Sequence, residues 1–125
     1  MKSQPIAPLA IALFCVVPAV ASAAEPDDPR ACYTEGSQLF DDARYEEALH
    51  TYERCREWSR ELPGVLTSVL LAEAYTLRKL SRTPDAISRF EEAAALARQL
   101  HTDTKSEDWL TLAREAEDEA QRLRL

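Results

Sequence analysis

Two cysteines, Cys32 and Cys55, carry the clearest covalent chemistry in the C-terminal four-fifths of this chain. A third, Cys15, lies in an apolar N-terminal stretch, and the Phe14 before it is too large for a lipid-attachment signal. The midpoint between 32 and 55 falls in the turn-forming Asp42-Ala43-Arg44 segment. In an antiparallel helix pair, residues equidistant from the turn sit at the same height, so inward-facing cysteines there reach bonding distance. The expectation is a disulfide; the alternative is two buried small hydrophobes, a common role for cysteine. Other chemistry finds little footing. His50 and His101 have no partner at metal-ligand spacing. Glu46-Glu47 and Glu91-Glu92 are adjacent pairs, which diverge on a helix and read as solvated faces. The only glycines are Gly36 and Gly64, so no glycine-rich phosphate loop exists. These residues predict no enzyme, no metal and no cofactor.

The N-terminus has the pattern of an export signal. Met1-Lys2 is positive, Ile6–Val20 is almost wholly apolar, and Ala21-Ser22-Ala23 offers small residues for cleavage after Ala23. The apolar run falls short of the roughly 20 residues of a membrane span, and Pro18 interrupts it. The expectation is an exported protein, periplasmic or secreted, with a signal over 1–23, a linker over 24–28 and one domain over 29–124. Such localisation also favours a disulfide. The full chain carries a net charge of −7; loss of Lys2 on cleavage leaves 14 basic against 22 acidic side chains, net −8. An acidic surface repels phosphate backbones, which argues against nucleic acid and anionic lipid as main partners.

Periodicity predicts five helices and no strand. The first spans about 29–41, started by Asp28 as cap and Pro29 in the first turn. The second spans about 45–61, with Ala48, Leu49, Tyr52 and Cys55 at helical spacing, and ends before Pro63-Gly64. The third spans about 65–79 and the fourth about 84–100, opened by Thr83-Pro84. A Thr104-to-Glu107 capping box starts a fifth over about 105–123. Trp58, at the end of the second helix, is expected to pack, or to cover the cysteine region or a partner.

Residues 36–55 recur 38 positions later as residues 74–93. Gly36 returns as Ala74, Leu39 as Leu77, Ala48 as Ala86, Tyr52 as Phe90 and Cys55 as Ala93. Such self-similarity marks stacked supersecondary units. Small residues at 36 and 48, and at 74 and 86, are expected to face each other within each pair, with larger ones between layers. The chain resembles the tetratricopeptide repeat family, whose second helix reads A-x3-F-x2-A within a 34-residue period. The match stands at Ala48, Tyr52 and Cys55, and again at Ala86, Phe90 and Ala93; Trp109 to Ala113 fits the W-x2-L opening of a further first helix. The period here is 38 to 39 residues, and the proline that usually closes each repeat is out of register.

This resemblance implies an all-α solenoid of antiparallel helix pairs, about two and a half repeats long. It also implies a groove lined by the first helix of each pair. Carried onto this sequence, the groove comprises Tyr33, Ser37 and Phe40, with Arg30 and Asp41 beside them, then Leu71, Tyr75, Arg78 and Lys79, then Leu110 and Arg114, with Glu117 at its edge. Family members that clasp a terminal carboxylate use asparagine in the groove, and this chain contains none. The function implied is a scaffold or adaptor that binds a peptide or helix of a protein partner, with an acidic flank facing the groove cations. The alternatives are that these residues only complete a small core, or that the chain is a self-associating structural module pairing through its fifth helix.

Overall fold

The computed structural model describes residues 28–125, which form five α-helices and no strand. They are α1 (Pro29–Asp41), α2 (Tyr45–Trp58), α3 (Pro63–Lys79), α4 (Thr83–Thr104) and α5 (Glu107–Arg124). The expected signal sequence, its cleavage site and Cys15 lie outside the described residues. No described helix is long and apolar enough to cross a membrane.

Each helix packs on the next in the chain, and α1 also touches α3. Asp28 caps α1 as its sequence predicts, its carboxylate accepting from the Arg30 amide at 3.0 Å. Other boundaries differ from expectation. Thr83 is the first residue of α4 and Arg82 its cap, without a side-chain hydrogen bond. The Thr104 capping box does not form. Thr104 ends α4, and Ser106 caps α5. Between them Lys105 adopts φ 64°, so α4 runs four residues past its predicted end and stops in a left-handed turn. In turn α2 stops at Trp58, where the Ser59 hydroxyl donates to the Cys55 carbonyl at 2.6 Å.

The α1–α2 and α3–α4 turns are built alike. Ala43 and Ser81, 38 positions apart, both take left-handed φ values of 62° and 60°. After each, an amide reaches back five residues, Arg44 to the Leu39 carbonyl and Arg82 to the Leu77 carbonyl, both at 2.9 Å. This closure satisfies end carbonyls that would otherwise lack partners.

Cys32 and Cys55 are bonded, joining α1 to α2 inside a cluster with Ala48, Tyr52 and Val69. A second cluster gathers Phe90, Ala74 and Ala94 with Ala116 and Ala120 of α5. The alanine face of α5 is therefore its buried face, and it closes the stack. Its outward residues Arg114, Glu115, Asp118 and Arg122 are exposed and charged.

Gly36 leaves room for the ring of Tyr52 across the α1–α2 interface. A β-carbon there would lie 2.5 Å from Cε1 and 2.8 Å from Cδ1 of the Tyr52 ring. That ring is 2% exposed, and its hydroxyl shares a 3.1 Å hydrogen bond with Ser37, so it has little freedom to withdraw. Overpacking costs about 1–3 kcal/mol, while alanine gains up to about 1 kcal/mol in helix propensity over glycine. Gly36→Ala should thus lower the unfolding free energy measured in urea, by about 1–2 kcal/mol.

Candidate functional site

Two clefts open between α1 and α3. The first encloses about 650 Å³ beside the N-terminal turns of both helices. Arg30, Tyr33 and Thr34 form one wall, residues 62–65 and Ser68 the other, and Trp109 of α5 closes the side. The second encloses about 410 Å³ farther along the same helices, between Ser37, Phe40 and Asp41 on one side and Ala72, Tyr75, Arg78 and Lys79 on the other. Early residues of α1 face early residues of α3, and late face late, so the two helices run in the same direction. Tyr33 lines both clefts, which thus lie end to end along α1 and are together called the groove. Along α1 the groove extends from Arg30 to Asp41, roughly 16 Å at the helical rise per residue.

Aromatic side chains shape it. Tyr33 lies 5.8 Å from Tyr52, and Phe40 meets Tyr45 edge-on at 5.1 Å. Tyr75 meets the buried Phe90 edge-on at 5.0 Å, which anchors the wall of the second cleft in the core. Burial pushes the phenols of Tyr52 and Tyr75 above their ordinary pKa, so both stay neutral. Arg78 is held at two points: its guanidinium sits 4.8 Å over the Tyr75 ring, and its Nη1 donates to Glu119 of α5 at 2.6 Å. Among the described residues, Arg30 and Lys79 pair with no acid within 4.0 Å.

Six predicted groove residues come together in the clefts: Tyr33, Ser37, Phe40, Tyr75, Arg78 and Lys79. The flanking Arg30 and Asp41 join them. Four others do not. Leu71 packs against the Phe90 cluster, and its neighbour Ala72 faces the groove instead. Leu110 lines neither cleft; its neighbour Trp109 does. Arg114 is exposed on α5 outside both clefts, and Glu117 turns away to a two-point ion pair with Arg98. That pair holds the Glu117 carboxyl below the usual range. One residue along a helix is a rotation of about 100°, so a small error in facing exchanges neighbours. In the first cleft the sequence pointed to Arg30 and Tyr33 alone; residues 62–65, Ser68 and Trp109 are brought there by the packing. A β-carbon at Gly64 would meet the Trp109 ring at 3.5 Å, an ordinary van der Waals contact, so the cleft does not depend on glycine there.

The residues with catalytic side chains are dispersed. Glu46 pairs with Arg82 and Glu47 with Arg44, while Glu91 pairs with Arg124 and Glu92 with Arg89. His50 is exposed beside Glu53, and the His101 ring meets the Ser106 carbonyl at 2.9 Å. No group of three potential metal ligands occurs among the described residues. Trp58, at the end of α2, is 40% exposed and thus partly covered.

No family model matches this chain, and no curated protein or solved structure is significantly similar to it.

Proposed function

We propose that the chain is an exported, noncatalytic interaction scaffold resembling tetratricopeptide repeat proteins, acting in the periplasm or outside the cell. Its α1–α3 groove would take a short segment of a protein partner. The observation that carries this reading is the pair of aromatic-walled clefts that share Tyr33. Their walls bear Arg30 and Lys79, and Arg78 paired with Glu119, against the single lining acid Asp41, on a protein of net charge −7. Grouped aromatic and apolar side chains favour burial of a partner's apolar residues, and the cation excess favours acidic residues beside them. A groove of roughly 16 Å accommodates about five residues of extended chain.

Self-association through α5 has less support, because the apolar face of that helix is already buried on α4 and its outer face is charged.

Affinity capture from an envelope extract should identify the partner, and a peptide from that partner can then be titrated into the full chain. The double variant Tyr33→Ser, Lys79→Glu should bind it at least tenfold more weakly while keeping its helical circular dichroism. Equal binding by a folded variant would place the site elsewhere. A mass by light scattering that rises with concentration, with no captured partner, would favour the self-associating module.

A further inference from the structure

Glu73 lies on α3 away from both clefts, and it is 1% exposed. A carboxylate is rarely buried unless hydrogen bonds and countercharges replace its water. Here the replacement is incomplete. Oε2 is 3.4 Å from Nη1 of Arg56 on α2 and 3.6 Å from Nε of Arg89 on α4. Both separations exceed a good charge-assisted hydrogen bond. Oε1 has no hydrogen-bond partner, and neither does the buried Arg89 Nε. Arg89 is also shared with Glu92. The other charged groups facing Glu73 are Glu53 of α2 and Glu92 of α4, and both oppose ionisation. Glu73 therefore sits where α2, α3 and α4 meet, joining the first helix pair to the second.

We propose that Glu73 is a proton-binding joint, whose buried and half-partnered carboxyl takes up a solvent proton and thereby stabilises the junction of α3 with α2 and α4. Protonation removes an incompletely solvated charge from the junction, at the cost of its attraction to the two arginines. The rims of the site are open, since the Arg56 and Arg89 side chains are 29% and 27% exposed, so water can deliver the proton. Burial outweighs the attraction of the two arginines and raises the carboxyl from 4.5 to about 7. The folded state then binds more protons than the unfolded chain between those values. The stabilisation is complete below 4.5 and is lost as the pH rises through about 7. The proposal holds whether or not the groove binds a partner.

Carbon-detected NMR of the full chain labelled with 13C-glutamate reads this directly. The Glu73 side-chain carbonyl should titrate near neutrality; a midpoint below 5.5 overturns the proposal. Urea unfolding gives a second reading. The native state should be favoured about ten- to a hundredfold more at pH 5 than at pH 8 through this group, and Glu73→Gln should remove that difference. Persistence of the full difference in Glu73→Gln would also overturn it. Should the variant fail to fold, the NMR titration of the parent chain decides.

Discussion

Removing the Cys32–Cys55 bridge, by the double replacement Cys32→Ala, Cys55→Ala, should cost the fold about 3 kcal/mol. The bond closes a loop across a sequence separation of 23 residues. Opening it returns to the unfolded chain the conformations that the loop excludes, and that freedom grows with the logarithm of loop length. Both cysteines are 0% exposed within the α1–α2 cluster, so the replacement also removes two buried sulfur atoms. A chain of this size should melt roughly 10–25 °C lower as a result. Alanine is the better substitute, because two free thiols could re-form the bond during the measurement. A loss below about 1 kcal/mol would show that the unfolded chain already holds α1 against α2. The bridge has a functional consequence too. It fixes the start of α1, which carries Arg30 and Tyr33 into the first cleft.

Replacing Phe90 with alanine should be at least as damaging, at about 3–5 kcal/mol. Phe90 is 0% exposed and is among the largest fully buried side chains. Its surroundings make the loss hard to repair. Ala74, Ala94, Ala116 and Ala120 crowd the ring, and none is long enough to fill the space it would leave. Tyr75 would also lose its edge-on contact and a wall of the second cleft its anchor. The variant should show a large fall in urea midpoint and a loss of near-ultraviolet circular dichroism from ordered aromatic rings. The milder Phe90→Leu should stay folded and report on the groove alone, through weaker binding of the partner peptide. A Phe90→Ala protein with parent-like stability would mean that α5 moves in to close the cavity.

Much of the architecture is legible along the chain. Five helical stretches, the Asp28-Pro29 start, the cysteine pair and the buried faces at Ala48, Tyr52, Ala86 and Phe90 follow from a period of 3.6 residues and from capping chemistry. These are local properties, set by neighbours within a turn or two. Six of the nine residues expected to line a groove meet in the two clefts, where α1 and α3 turn those faces toward each other. The charges of Glu46, Glu47, Glu91 and Glu92 diverge as adjacent helical positions must.

The tertiary structure decided the rest. Whether Leu71 or Ala72, and Leu110 or Trp109, faces the groove depends on how far each helix is rotated about its axis. That rotation is settled by packing across helices, which hydrophobic spacing constrains only loosely. Gly36 reads as a backbone approach in sequence, but the space it leaves is taken by the Tyr52 ring. Glu73 is the sharpest case. In sequence it is one more acid among 22 Asp and Glu residues, and the sole acid of the third helix. Only the meeting of α2, α3 and α4 buries it, and only their spacing leaves two arginines beside it without a full set of hydrogen bonds. Helix formation is local and is written in periodicity; desolvation depends on what the remainder of the chain brings near, and emerges when the helices pack.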